Sequence, residues 1–174
     1  LDQFENPSML KLDPPDHSRI RKLVQYGFTN RYITSLEPEI KKVVDSCLDR
    51  VHNQNSFDLI EDLAKPLPAI VIAKMMGLPN EDLDQFQAWS EDLLVGVGGI
   101  GTSKEDIKKS GDAYEALISY FEKIILTRKD SPGDDFIGKL IQAEEEGDKL
   151  NIKEMYGTRL LLLIAGHETT TRLI

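Results

Sequence analysis

Cysteine is almost missing from this chain. Cys47 stands alone, so no internal disulfide and no CxxC metal pair can form. That usage fits a reducing compartment, and we read the protein as cytoplasmic. Long apolar runs are missing too. The longest, Leu160 to Ala165, falls far short of the roughly 20 residues that span a bilayer, so no membrane segment is expected. The opening LDQFENPSML has neither the basic start nor the apolar stretch of a signal peptide. No lysine followed by serine or threonine completes a phosphate loop, and no GxGxxG opens a helix after a strand. GxSxG is absent as well. Positive charge is outweighed, with a net charge of −9 that argues against a nucleic-acid binder. The chain does not begin with methionine, which suggests a piece of something longer.

What is present is helical periodicity over one domain, residues 1–174. A first helix is expected from Asp13–Pro14 to Phe28, with His17, Arg21, Val24 and Phe28 on one face and Arg19 and Lys22 on the other. A second should run from Asn30 to Val51 as one amphipathic stripe, with Cys47 as a packing residue inside it. Leu67–Met76 contains a strand-like Ile70-Val71-Ile72, yet its helix formers and its length favour a helix ended by Gly77 and Pro79. Asn80 should cap a helix over 81–95 with Phe86, Trp89, Leu93 and Leu94 on its apolar side. GVGGIGTS then reads as a flexible hinge. A long helix from Ser103 to Arg128 follows, with Ile107 through Ile125 in period, and a short one ends near Gly147. Asn151 and Glu154 form a capping box for the last helix. The patch from Glu144 to Asp148 reads as a solvated helix end. The class is all-α, with six or seven helices.

The last helix breaks its own pattern. Apolar on every side through Ala165, it turns abruptly to Gly166, His167, Glu168 and three threonines, poor choices for a helix interior. At about 100° per residue, Thr158, Leu162, Ala165, Gly166 and Thr169 share a face, Glu168 flanks it, and His167 points away. Ala165 and Gly166 would admit a flat object close to the backbone; they also suit tight helix–helix packing. Thr169 can bond back to the Ala165 carbonyl, which bends or opens helices. Glu168 can move protons or simply pair with Arg172 four residues on. HETTT is no zinc motif, because Thr171 stands where the second histidine belongs. No metal ligand set is identified. His17 and Arg21 can be a plain surface pair, but their face continues into Val24 and Phe28, at the edge of a buried surface where cationic donors need an anion.

Two segments together resemble the cytochromes P450 of the soluble bacterial or archaeal kind. AGHETT is similar to the family's A-G-x-[DE]-T-[TS] signature in helix I. DPPDHSRIRKLVQYGFT is similar to its D-P-P-[DE]-H-x-R-x-R pattern in helix C. LPAIVIAKMMGLP, FQAWSEDLL and DDFIGKLIQAEEEGDKLNIKE look like the E, F and H–I regions in the right order.

The resemblance implies a partial P450 fold, helices C to I, without the N-terminal sheet region and the C-terminal haem-thiolate loop. It implies haem b, an iron protoporphyrin IX, whose propionates His17 and Arg21 would hold, with Ala165 and Gly166 over the distal face where dioxygen binds. Glu168 and Thr169 would be an acid–alcohol pair relaying protons during oxygen activation. The region from Leu93 to Gly101 would belong to a mobile lid. Arg19 and Lys22 would face a ferredoxin or flavodoxin electron donor. The activity implied is insertion of one oxygen atom into a small hydrophobic substrate such as a fatty acid, terpene, macrolide or steroid.

The departures are specific. No F-G-x-G-x-x-x-C loop and no ExxR occur, and Cys47 has the wrong context for the axial ligand. The 174 residues alone are therefore expected to lack monooxygenase activity. The competing reading is a non-enzymatic α-helical binding or scaffold domain whose small-residue helix merely packs.

Overall fold

The two prolines before the first helix decide where it begins. The computed structural model describes residues 7–97, 102–128, 130–143 and 148–174. In it α1 spans Asp16–Gln25, with Pro15 at the N-cap position, later than the expected start at Asp13. A residue before proline is disfavoured in the helical region, which accounts for a helix that starts only after Pro15. Ile20, Leu23 and Val24 form the buried side of α1. Arg21 is exposed, and Phe28 is half in solvent with its ring against Phe136 at 4.9 Å. The stripe expected through Arg21 and Phe28 is thus shifted toward Ile20.

The expected second helix is two. α2 (Asn30–Ser35) is capped by Thr29, whose hydroxyl accepts from the Tyr32 amide, and α3 (Glu37–Asp49) starts anew after Leu36. Pro38 lacks the N–H that would continue the ladder, so the chain re-nucleates there. Val43, Cys47 and Val51 are buried, while Ile33, Ile40 and Leu48 remain largely exposed. Cys47 packs as expected, accepting from Arg50 Nη2 at 3.2 Å.

A π turn over Ile60–Ala64 leads into α4 (Pro66–Met75), so Ile70-Val71-Ile72 is helical. Gly77 ends the segment at φ +68°, where a side chain is strained. Arg128 locks this turn by donating to both the Gly77 carbonyl and the Asp135 carboxylate.

α5 (Leu83–Val97) and α6 (Lys104–Arg128) form the most extensive helix pair. They run antiparallel: Ser110 Oγ donates to the Leu93 carbonyl at one end, and Phe86 meets Phe121 at 6.3 Å toward the other. Gly96 and Val97 belong to α5, which trims the expected hinge; residues 98–101 lie outside the described residues. Ile107, expected in the apolar stripe, is 48% exposed. α7 (Phe136–Gln142) is capped by Asp135, whose carboxylate accepts from the Gly138 amide. It ends at Gln142, with Ala143 already extended, and not near Gly147 as expected; most of the acidic patch lies outside the described residues. α8 (Ile152–Leu173) carries the expected capping box. Among the described residues there is no β-strand, and the fold is all-α. One core joins Ile20 and Leu23 to Phe86, Leu93, Leu117, Phe121, Ile137, Leu140, Leu160 and Leu163. Burying each such side chain contributes about 1.5–3 kcal/mol.

Candidate functional site

α8 is enclosed at its start and divided along its second half. From Glu154 to Leu160 every residue is buried. Beyond that only Leu163 and His167 are, four residues apart on one side. On the opposite side Leu162 is partly covered, and Ala165 and Thr169 are exposed. A helix with Leu160 to Ile164 apolar all round therefore leaves one flank uncovered by the described residues.

On that flank the Thr169 hydroxyl donates to the Ala165 carbonyl at 2.6 Å, the expected back-bond. The helix is not opened by it: α8 continues unbroken to Leu173. The carbonyl has two lone pairs and can accept the hydroxyl without giving up its place in the helix.

Gly166 parts from Ala165. A Cβ on Gly166 would lie 2.9 Å from Ile72 Cδ1, so its close approach is to α4. At about 100° from Ala165 it sits at the edge of the open face, and there the packing alternative holds.

His167, expected to be a bystander, is 2% exposed and sits on the wall of a cavity of about 320 Å³. Lys65, Glu91, Leu94 and Arg172 share that wall. Burial pushes the imidazole below its ordinary pKa, opposed by nearby Glu91 and Glu168. His167 Nδ1 and Thr171 Oγ1 are buried without hydrogen-bond partners. Polar walls with unfilled valences suit ordered water. Glu168 also lines this cavity and accepts from Arg172 at 2.6 Å, so the simple i,i+4 ion pair is present. The acid thus faces the closed flank, one residue from the alcohol on the open one.

His17 is partly buried and Arg21 exposed on α1, and neither side chain makes a hydrogen bond or ion pair among the described residues. No such bond links them to Ala165 or Thr169. Arg19 overturns the expectation of an outward face: it donates to the buried Glu154 carboxylate and lies 3.4 Å from Asp148. Leu93, placed by sequence in a lid, is a fully buried member of the main core.

Sequence reasoning passed over Arg159. Its guanidinium is completely buried, bonded only to the Phe121 carbonyl at 3.4 Å and set 5.5 Å from the Phe121 ring. Nε and Nη2 have no partner, and burial pushes the pKa down to about 9. A signal existed: Arg159 stands four residues before Leu163 and eight before His167, on the buried side.

No family model matches the chain. Among curated proteins it is 40% identical over 166 residues to a cytochrome P450 of Bacillus subtilis, covering 95% of this chain and 40% of that protein. It is 39% identical over 171 residues to the polyketide biosynthesis cytochrome P450 PksS of the same organism, covering 98% and 41%. Among solved structures it is similar to CYP109E1 from Bacillus megaterium in complex with testosterone, with TM-score 0.86 and 38% identity over 94% of this chain and 43% of that one. The chain thus spans about two fifths of the length of the relatives it matches. No helix among the described residues is long and apolar enough to cross a membrane.

Proposed function

This chain is a partial cytochrome P450, and from that premise we propose that the intact protein is a haem-thiolate monooxygenase. It would insert one atom of dioxygen into a small hydrophobic substrate, with electrons from a ferredoxin- or flavodoxin-type donor. The observation that carries this reading is the open flank at Ala165 and Thr169 on a helix otherwise made for burial. The residues fit a haem on a second count. Among the described residues His17 and Arg21 have no hydrogen-bond or ion-pair partner, and two such donors on one helix face suit a pair of carboxylates.

When bound, the haem would supply the redox and oxygen-activating chemistry, and Cys47, committed to packing in α3, would take no part in holding it. His17 and Arg21 hold its propionates. Ala165 and Gly166 would leave room for it beside the backbone of α8, Gly166 also lying close to Ile72 of α4. Leu162 contributes apolar surface to the substrate side. Thr169 keeps its hydroxyl oriented by the bond to Ala165 and can accept a further hydrogen bond on that flank. Glu168 takes protons from the polar cavity on the other side and passes them to the Thr169 side of the helix. These 174 residues alone are expected to be inactive. A steroid is one plausible substrate class, since CYP109E1 binds testosterone and a similar protein is a steroid C26-monooxygenase.

The test is made on the intact protein. The reduced form should give a carbon monoxide difference band characteristic of thiolate-ligated haem; its absence in haem-loaded protein counts against the reading. Thr169→Ala should release hydrogen peroxide at product's expense, by about tenfold in the ratio. An unchanged ratio removes Thr169 from the relay.

A further inference from the structure

We infer that Arg19 is a positioning residue whose ion pair with Glu154 sets the roll of α1, and thereby the direction in which His17 and Arg21 point. The inference rests on the haem reading above and adds the device that would orient the haem's donors.

Around α1, His17 and Arg21 are about 40° apart, and Arg19 is about 160° from each. Arg19 therefore grips the side of the helix opposite the two donors. What it grips is fixed. Glu154 is 5% exposed and belongs to the first turn of α8. Its Oε2 accepts from the Asn151 amide at 2.8 Å in the capping box, so the carboxylate cannot swing away without uncapping the helix. Both guanidinium Nη atoms reach it, Nη1 at 3.5 Å to Oε2 and Nη2 more closely to Oε1. Asp148 lies 3.4 Å from Nη1, and Asp16 lies 3.9 Å from Nε. The hydrogen bond to Glu154 holds the Arg19 guanidinium above its ordinary pKa.

A planar fork on a carboxylate resists rotation in a way that a point charge does not. The lever arm matters as well. Side-chain heads lie about 5–6 Å from a helix axis, so a roll of about 10° displaces them by about 1 Å. Shifts of that size separate a held ligand from a loosely placed one. An exposed ion pair would be worth little. Here, removing Arg19 would strand a buried carboxylate.

The experiment measures haem transfer from the intact protein to excess apomyoglobin, alongside urea unfolding, in Arg19→Gln, Glu154→Gln, the double variant and Arg19→Lys. Glutamine at position 154 can still serve the capping box, so Glu154→Gln removes the ion pair while leaving the cap. We expect both single variants to speed haem loss about tenfold, the double variant to be no faster, and Arg19→Lys to fall between them and the parent. If Arg19→Gln folds poorly, Arg19→Lys and Glu154→Gln carry the same comparison. Ile137→Val is the control for plain destabilisation. A purely structural role predicts that haem loss follows the urea midpoint on the same line as this control, and that outcome overturns the inference. Unchanged haem loss in Arg19→Gln and Glu154→Gln overturns it too. His17→Ala and Arg21→Ala separate the two readings. If they leave haem loss unchanged, the cradle reading fails. If they speed it while the ion-pair variants do not, only the role of Arg19 fails.

Discussion

The two flanks of α8 carry neighbouring residues to opposite fates. Leu163 and His167 are sealed against the rest of the protein, and Leu162, Ala165 and Thr169 are not. Apolar side chains are placed on both, so hydrophobicity does not tell them apart. Size and valence do. The sealed flank has large side chains and, at His167, an unfilled nitrogen beside a polar cavity. The open flank narrows beyond Leu162 to a methyl group and a hydroxyl already turned back onto its own helix. One flank stabilises the fold; the other is proposed to receive a cofactor.

That contrast can be broken by substitution, and the largest effect is expected at Leu163. Leu163→Ala should lower unfolding stability by about 3 kcal/mol, and Leu162→Ala by less than about half of that. Equal losses in urea midpoints would mean the two flanks are energetically alike. Gly166→Ala tests the edge between them. Its new methyl would lie 2.9 Å from Ile72 Cδ1, a flexible side-chain end, so the clash should offset most of the helix propensity, about 0.5–1 kcal/mol, that alanine gains over glycine, and Ile72→Val should remove the clash and leave the gain. Relief absent from the double variant would mean that Gly166 does not pack on α4.

The smallest effect is at His167. Its folded pKa is depressed by burial, so the unfolded chain binds the proton more readily. Stability should be full above about pH 6.5, the ordinary histidine value, and fall as pH drops below it toward the folded pKa. The groups facing His167 across the cavity are Lys65, Glu91, Asp92, Lys109, Glu168 and Arg172, and the acids among them soften the slope. His167→Gln should flatten stability against pH between about 7 and 5. A slope identical to the parent's would show that other groups set it.

Much of this was legible in the residues. Helical period located most of the helices, and the Asn151–Glu154 capping box emerged as read. The misses have local causes. Pro38 divided a stripe whose apolar spacing was continuous, because spacing records burial and not the missing N–H. The Ala165–Thr169 bond was foreseen, since it joins residues four apart on one helix. Gly166 could pack or line an open face on sequence alone, and its close approach to Ile72, nearly a hundred residues earlier, could not be read from the helix's own spacing. Arg19 looked solvent-facing for the same reason: Glu154 is 135 positions away, and no period along one helix reports a partner on another. Arg159 followed helical spacing but not chemistry, and its burial depends on how Phe121 arrives.

Arg128 ties together three places that are distant along the chain: the left-handed turn at Gly77, the last turn of α6 and the Asp135 cap of α7. A single guanidinium that closes three helix ends makes them one cooperative unit. Opening any of them releases the other two, so their amides should exchange with solvent at a shared rate. The Gly138 amide, held by Asp135, would then report on the far end of α4 without touching it.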